Sequence, residues 1–572
     1  MKSTIMRATI HRPRALRTLA LILAAVVGAL VAACNGCRTG QTNKDGNAVA
    51  SGGPPNVRIY VLSDLAGALE PCGCQKDMLG GMQHFAALVT KEREKAPNAV
   101  VVAAGPLFFE DANLKPERVD QDTWKAEALA GGLKSVGLVG FAPGRNDWSA
   151  GTPELVKLRD ASGGALLGGN LSGSGSAGAA GHVMRDVGGV KVAFVGVSIP
   201  RGSDAPADVV IGDAAKALSD EAKKARSEGA RIVVGVVALD RGEALRAAEG
   251  APELDVLAVG SSSLEGDTNS EPRPPQFVGP VLVVEPSNHL TRVSIVDFYL
   301  NGAADAGRFA DGSGLAHAQE VTDLTTQIDD LQKRIANWEK DPTQNKSDLD
   351  AQRKRLEDMR SKLAKVLQPP PAPNGSYLRY ELTDVREALG VDDAAKKAMA
   401  SYYQRVDAFN KEKFAGKKAP PPAKGEPEYV GVDTCKTCHV AAFDVWSKTG
   451  HGHAYKTLAD DSKEFNLDCV GCHVTGYEKP GGSTVTDVAV LKDVQCETCH
   501  GPGSQHAADP MANALPDKIE EQVCTGCHHA PHTDIFDFKT RVEKIKGPGH
   551  GSPGAPIYVD APKGWKPPKA RF

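Results

Sequence analysis

The sequence predicts a multidomain protein in which an α/β layered domain, an antiparallel α-helical hairpin and a mostly helical or irregular cysteine-rich segment follow one another. Three observations predict this order. Apolar runs alternate with helical stretches over residues 57–300, a seven-residue apolar repeat covers 316–368, and a repeated cysteine–histidine motif occupies 429–550. The 572 residues are too many for one hydrophobic core, so two or three domains are expected.

Residues 1–33 have the pattern of a secretion signal, with basic residues ahead of an apolar run that is shorter than a typical membrane-spanning helix. The run ends in Val31-Ala32-Ala33-Cys34, which resembles the lipobox of bacterial lipoproteins. The resemblance implies a mature chain that begins at a lipidated Cys34 and is anchored to a membrane. Cleavage after Ala33 with release is the alternative. Residues 34–56, rich in Gly, Asn and Ser, are predicted to form a flexible tether.

The domain at 57–300 is predicted from short apolar runs that alternate with helical stretches rich in Ala, Lys and Glu. Helical spacing occurs at 84–95 and at 213–228. The apolar runs lie at 57–62, 99–103, 190–197, 231–239, 255–259 and 281–284. Such alternation is typical of an α/β domain with helices layered on a sheet.

The start of this domain carries a resemblance to a known family. Ser63-Asp64-Leu65-Ala66-Gly67, the nearby Cys72-Gly73-Cys74 and Gly80-Gly81 resemble the calcineurin-like metallophosphoesterases, in their bacterial 5′-nucleotidase-like branch. Asn170 also stands where that branch has an asparagine. The resemblance implies an α/β metallophosphoesterase-like sandwich.

The residues that would bind two metal ions in such an enzyme are mostly replaced. Asp64 is present, whereas Ala66, Pro106, Arg145-Asn146-Asp147 and Gly260-Ser261-Ser262-Ser263 stand where further ligands are required. No histidine lies between His182 and His289. We therefore expect a scaffold whose metal site is degenerate.

Cys72 and Cys74 are separated by one residue, and three interpretations remain open. They could form a strained disulfide, ligate a metal with His84 and Asp64, or remain free thiols.

The repeat at 316–368 predicts two antiparallel helices. Its apolar positions are Val321, Leu324, Ile328, Leu331, Ile335 and Trp338, then Leu349, Leu356, Met359, Leu363 and Val366. The polar stretch 341–345 interrupts the register. The hairpin packs on itself or serves as a dimerisation arm. A strand plus a helix are predicted at 376–413, a Pro-rich linker at 414–428 and an irregular tail at 551–572.

The cysteine-rich segment repeats Cys-x-x-Cys-His four times, which is the attachment motif of c-type haem. The two thiols bond the haem vinyl groups, and the adjacent histidine becomes the proximal iron ligand. The cysteines are Cys435, Cys438, Cys469, Cys472, Cys496, Cys499, Cys524 and Cys527. The proximal histidines are His439, His473, His500 and His528. Four covalently attached haem c groups are therefore predicted.

Zinc ribbons and four local disulfides are alternatives, because paired Cys-x-x-Cys is also zinc-ligand spacing. A histidine after every motif disfavours both, since only 15 of 572 residues are histidine. In 429–546, only 23 of 118 residues are Leu, Ile, Val or Phe, which is too little apolar surface for an ordinary core. Porphyrin would supply that surface, so we expect the segment to be unfolded without haem.

The sixth iron ligands are predicted to be histidines, because Met511 is the only methionine in the segment. The distal candidates are His451, His506, His532, His550 and His453. More spare histidines are present than four irons require.

Longer stretches around the motifs resemble the tetrahaem cytochrome c-554 family. They are Tyr429-Val430-Gly431, Trp446-Ser447-Lys448-Thr449-Gly450-His451, Cys472-His473-Val474-Thr475-Gly476 and Gln495 through His506. The resemblance implies electron transfer, closely paired haems, and distal ligation by His451 and His506. One member of that family leaves an iron five-coordinate.

The expected function is therefore electron transfer between redox partner proteins of the cell envelope, and not catalysis. The protein is expected to be a lipid-anchored lipoprotein that is periplasmic or at the outer membrane. A net charge of -4 without a basic patch argues against nucleic-acid binding. One alternative is a multihaem oxidoreductase with an open haem that acts on a small nitrogen or sulfur compound. Another is a bifunctional phosphoesterase–cytochrome.

Overall fold

The computed structural model describes residues 53–71, 78–201, 206–266, 268–301, 308–340, 345–367, 373, 375–529, 533, 536–547 and 550. The predicted signal, Cys34, the tether up to residue 52, Cys72, Cys74, His532 and the tail at 551–572 lie outside these residues. Within the described ranges, no helix combines the length and hydropathy that crossing a membrane requires.

Two sheets form the centre of the α/β domain. The strands are β1 Val57–Ser63, β2 Ala99–Gly105, β3 Leu138–Pro143, β4 Ala165–Leu166, β5 Leu171–Ser172, β6 His182–Val187, β7 Val190–Ser198, β8 Val210–Ile211, β9 Ile232–Ala238, β10 Val256–Gly260, β11 Arg273–Val278, β12 Val281–Glu285, β13 Arg292–Tyr299, β14 Ala310–Asp311 and β15 Tyr377–Asp384. One sheet has the order β14-β15-β13-β1-β2-β3-β4 and the other β11-β12-β10-β9-β7-β6. β5 and β8 form a small separate ladder.

The two sheets pack face to face and helices cover their outer faces. In β1, Val57, Ile59 and Val61 face the second sheet, whereas Tyr60 and Leu62 face helices. Both faces of the strand are therefore buried, which explains why all its residues except Arg58 and Ser63 are apolar. The helices are α1 Met82–Glu92, α2 Val119–Val136, α3 Thr152–Ser162, α4 Ala214–Ser227, α5 Arg241–Gly250, α6 Leu315–Trp338, α7 Lys346–Val366 and α8 Asp393–Lys413.

The strand predicted after the hairpin belongs to the first sheet. β15 runs antiparallel to β13, with Arg292 opposite Asp384 and Tyr299 opposite Tyr377. α8 follows, capped by the Asp392 carboxylate, which accepts a hydrogen bond from Ala395 N at 2.9 Å. Met399 of α8 is buried in the core beneath the first sheet. Residues beyond 300 thus complete the α/β domain.

The hairpin consists of α6 and α7. Ile328, Leu331 and Ile335 of α6 pack against Leu356 of α7, with Leu331 only 2% exposed. These are positions of the predicted heptad repeat, so its apolar stripe is covered within the chain. Residues 341–344, which join the two helices, lie outside the described part.

The cysteine-rich segment has short helices joined by irregular chain. They are α9 Val432–Cys435, α10 Val440–Trp446, α11 Ala454–Ala459, α12 Cys496–His500, α13 Ser504–Ala508, α14 Glu521–Thr525 and α15 Phe538–Ile545. A small apolar cluster includes Phe414, Tyr455, Val470 and Val474. The multidomain prediction of an α/β part followed by a mostly helical or irregular part is confirmed.

Candidate haem-binding site

Helical turns shape the four attachment motifs. His439 N donates to Cys435 O at 3.0 Å, and His528 N donates to Cys524 O at 2.9 Å. A hydrogen bond between residues four apart places the first cysteine and the histidine on one side of the turn. The eight motif cysteines are partly exposed, and none of them forms a disulfide. This arrangement suits attachment of a planar group beside each turn.

Thiol contacts bring motifs together in pairs that the sequence order does not suggest. The thiols of Cys435 and Cys496 share a hydrogen bond, which raises the pKa of Cys435 and lowers the pKa of Cys496. The hydrogen bond that the Cys472 thiol shares with Cys527 likewise raises the pKa of Cys472. The first motif therefore lies beside the third, and the second beside the fourth.

The third and fourth motifs are also neighbours. Burial, together with the nearby Cys524 thiol, raises the pKa of Cys499 to about 11. The four motifs thus form a spatial series in the order first, third, fourth, second.

Two histidine pairs have the separation that one bound iron requires. The ring centres of His439 and His506 are 6.2 Å apart, and those of His451 and His528 are 6.1 Å apart. Two imidazoles that bind one metal through nitrogen bonds of about 2.0 Å have ring centres about 6 Å apart. Two proximal histidines therefore each face a predicted distal candidate.

The protonation of these rings also fits ligation. Burial, reinforced by His506, lowers the pKa of His439, and burial, reinforced by His528, lowers the pKa of His451. The neutral imidazole is the form that binds a metal.

Three rings, including that of His506, have one nitrogen held by the backbone. The Nδ1 atoms of His473, His500 and His506 lie 2.6, 2.7 and 3.0 Å from the carbonyl oxygens of Ala454, Pro516 and Asn513. A carbonyl accepts only from a protonated Nδ1, so the Nε2 lone pair of each ring is available to a metal. The donor set therefore fits haem iron.

The other distal candidates differ in position. His550 lies beside His500, and burial followed by the charge of His500 lowers the pKa of His550. His453 lies near the carboxyl of Asp493. His532 is outside the described residues. Among the described residues, no imidazole stacks on the ring of His473.

Glu497, inside the third motif, joins that motif to the start of the segment. Its buried carboxylate accepts hydrogen bonds from Val430 N at 2.9 Å, Gly431 N at 2.8 Å and Gly503 N at 2.8 Å. Burial raises its pKa despite these bonds. The motif pattern gave no signal for this role, because the two positions between the cysteines vary freely.

In the α/β domain, the polar side chains at the metallophosphoesterase-like positions bind one another. Asp64 accepts hydrogen bonds from Ser261 N at 2.8 Å and Ser261 Oγ at 3.0 Å, and burial raises its pKa to about 7. Asp147 accepts from three backbone amides, and burial raises its pKa to about 7 as well. Asn146 Oδ1 accepts from Leu264 N at 3.2 Å.

These bonds join the two sheets, because Asp64 follows β1 and Ser261 follows β10. Close approach is possible because Gly105 has no side chain: a Cβ there would lie 1.8 Å from Asp64 Oδ1. In the described part of the chain, no three His, Cys, Asp or Glu side chains are grouped to hold a metal ion.

Comparison with known proteins gives matches in both parts of the chain. Residues 434–501 match the family model described as Cytochrome c554 and c-prime. Cytochrome c-554 of Nitrosomonas europaea is 34% identical over an alignment of 97 residues, which covers 14% of this chain and 41% of that protein. The chain thus spans less than half the length of this relative.

Solved structures match the α/β part. The 5′-nucleotidase precursor of Thermus thermophilus has a TM-score of 0.42 and 15% identity, covering 62% of this chain and 59% of that chain. The NAD nucleotidase of Haemophilus influenzae has a TM-score of 0.38 and 15% identity, covering 65% of this chain and 63% of that chain. The calcineurin-like phosphoesterase YfkN of Bacillus subtilis has a TM-score of 0.36 and 16% identity, covering 43% of this chain and 86% of that chain.

The match to the family model includes the first three attachment motifs, and the fourth lies beyond it. The C-terminal part of this chain is therefore similar to the cytochrome c554 and c-prime family over residues 434–501.

Proposed function

We propose that this chain is an exported, lipid-anchored tetrahaem c-type cytochrome that transfers electrons between redox partner proteins of the cell envelope. The observation that carries the proposal is the presence of four attachment motifs whose proximal His439 and His528 face His506 and His451 at 6.2 and 6.1 Å. Anchoring through Cys34 rests on its lipobox-like sequence.

The chain would hold each haem by two thioether bonds and a histidine. Bound haem supplies one-electron exchange between ferric and ferrous iron. The protein orients proximal rings through hydrogen bonds to backbone carbonyls, as at His473 and His500. His506 and His451 would close the remaining positions at two of the irons, which favours electron transfer over substrate binding there.

The order of the motifs in space supports a relay. Contacts between Cys435 and Cys496, between Cys499 and Cys524, and between Cys472 and Cys527 connect the motifs as a linear series. Electrons would enter at one end of this series and leave at the other. The first and second motifs are its two ends.

The α/β domain acts as a scaffold or docking module without hydrolytic activity in this proposal. Support comes from Asp64, whose two oxygens are hydrogen-bonded to Ser261, and from the lack of histidine between 182 and 289. A two-metal phosphoesterase would require those groups as ligands.

The test is an anaerobic reductive titration of the purified exported protein, followed by its visible haem bands. The proposal expects four electron equivalents per chain and reoxidation by a small redox protein. Uptake of fewer equivalents, or bands that do not respond to reductant, would contradict it.

A second candidate function is favoured by the surroundings of His473. The rings of His439 and His528 face other imidazoles and His550 lies beside His500, whereas no imidazole in the described residues stacks on His473. A haem there would have an open face for a small nitrogen or sulfur compound. Electron paramagnetic resonance discriminates, since a high-spin ferric signal near one per chain supports the oxidoreductase and its absence supports the carrier.

A further inference from the structure

The residues just before the second motif are bound to helix α2 of the α/β domain. Arg118 precedes this helix, and Gln121, Asp122 and Lys125 lie on its first two turns. Positions separated by three, four and seven residues share one face of a helix. This polar face, made of Arg118, Gln121, Asp122 and Lys125, meets residues 465–468.

Asp468 is the centre of the contact. Its carboxylate accepts a hydrogen bond from Lys125 Nζ at 3.2 Å and another from the Arg118 guanidinium. Asp122 binds the same guanidinium at 3.0 Å. Two cations of the α/β domain therefore converge on the residue that immediately precedes Cys469.

Hydrogen bonds between uncharged groups also hold residues 465–467 in place. Gln121 Oε1 accepts from Leu467 N at 3.0 Å and from Asn410 Nδ2 at 3.0 Å. Asn410 Nδ2 also donates to Phe465 O at 2.9 Å. Amide groups from α2 and α8 thus hold the backbone ahead of the second motif in a single position.

The charges lie where solvent screens them weakly. The side chains of Arg118, Lys125 and Asp468 are 20%, 19% and 23% exposed. Burial alone would raise the pKa of Asp468, but Lys125 and Arg118 outweigh it and lower that pKa. Partly buried charges act on neighbouring groups more strongly than exposed ones.

A fixed charge next to a haem changes its reduction potential. Reduction adds one electron, so a nearby cation stabilises the ferrous form and a nearby carboxylate stabilises the ferric form. Cys469 follows Asp468 directly, and its backbone N–H donates to Asn466 O at 3.1 Å. The second attachment motif is therefore the one that directly follows this cluster, and a haem held there would experience its charges.

We propose that Lys125 and Arg118, paired with Asp468, supply the fixed charges by which the α/β domain sets the reduction potential of the haem attached at Cys469 and Cys472. This inference rests on the proposed function, because it requires haem at the second motif. It gives the α/β domain a role in the redox chemistry.

The test compares three single variants by spectroelectrochemical titration of the full-length haem-loaded protein. Lys125→Met removes a cation and is expected to lower the midpoint potential of one of the four one-electron components of the titration curve. Asp468→Asn removes an anion and raises the potential of the same component. Lys134→Met, an exposed site near the far end of α2, is the matched control and leaves every component unchanged.

Opposite shifts in potential distinguish an effect of charge from simple loosening of the contact. Loosening would shift the potential in the same direction in both variants. The double variant Lys125→Met/Asp468→Asn is expected to restore the component close to its original potential. Shifts of one sign in both single variants, or unchanged titrations in both, would overturn the inference.

Haem content is measured on every sample. If Asp468→Asn does not retain haem, the inference is tested by comparing Lys125→Met with Lys134→Met. A potential that is lowered only in Lys125→Met supports it, and equal potentials overturn it. Absence of haem from the unmodified protein would instead refute the proposed function itself, so the two failures are distinguishable.

Discussion

Asp64 at the end of β1 accepts two hydrogen bonds from Ser261 at the end of β10, one from its amide at 2.8 Å and one from its hydroxyl at 3.0 Å. The pair connects the two sheets at a position where the sequence resemblance predicts a metal ligand. Ser261 thereby gives each oxygen of the Asp64 carboxyl group a hydrogen-bond partner.

Ser261→Ala removes the hydroxyl donor and leaves Asp64 Oδ2 without that partner. We expect a loss of about 1–2 kcal/mol in the free energy of unfolding of the α/β domain, because a buried polar atom loses its hydrogen bond. Urea unfolding followed by circular dichroism measures it. The control Ser227→Ala, whose exposed hydroxyl binds only its own helix at Lys224 O, changes stability by less than about 0.5 kcal/mol. Equal effects of the two substitutions would contradict the role of Ser261.

The raised pKa of Asp64 also predicts that the stability of the α/β domain depends on pH. Its pKa is near 3.8 in the unfolded chain and about 7 when folded, so the folded state retains a proton that the unfolded state loses. Its contribution to stability is therefore constant below about pH 4, falls as the pH rises to about 7, and is level above that. Asp64→Asn cannot ionise and should flatten this decline.

The measurement is the urea midpoint at about pH 5 and about pH 7, which lie within the window of that decline. The decline between them is expected to be smaller in Asp64→Asn than in the unmodified protein, whereas Asp160→Asn, an exposed carboxylate, leaves it unchanged. An undiminished decline in Asp64→Asn would show that Asp64 is ionised in the folded protein.

Removal of a distal histidine should create a high-spin iron. His506→Ala takes away the ring 6.2 Å from His439, and His451→Ala the ring 6.1 Å from His528. Each variant is expected to gain about one high-spin ferric centre per chain in electron paramagnetic resonance. His453→Ala is the matched control, since His453 faces no proximal ring among the described residues and its loss adds no high-spin signal.

The α/β domain is expected to have no phosphoesterase activity. Hydrolysis of p-nitrophenyl phosphate and of a nucleotide monophosphate, with Mn²⁺ or Zn²⁺ added, should equal the rate without protein. Metal-dependent hydrolysis that disappears in Asp64→Ala would instead support the bifunctional alternative.

Local patterns predicted much of this architecture. The apolar runs became strands because both their faces are buried, and the heptad positions of Leu331 and Leu356 became the hairpin contact. The motif cysteines are identifiable from spacing alone, because attachment chemistry requires that spacing. The fold of residues beyond 300 was harder to predict, since β15 pairs with a strand on the other side of the hairpin.

Long-range contacts explain what the sequence did not predict. Which histidine faces which motif depends on how irregular chain brings His439 to His506, and no periodicity encodes that. The contact of Lys125 with Asp468 joins two domains through side chains that look like ordinary surface charges in the sequence. Asp64 and Ser261 were both singled out in the sequence, but the hydrogen bond between them was not predicted.

The most direct test of the account is the haem-to-protein ratio of the exported protein, measured by pyridine haemochrome absorbance against amino-acid analysis. Attachment at all four motifs predicts four haems per chain, which remain bound after denaturation because the bonds are covalent. A colourless protein, or a ratio clearly below four, would contradict the central claim.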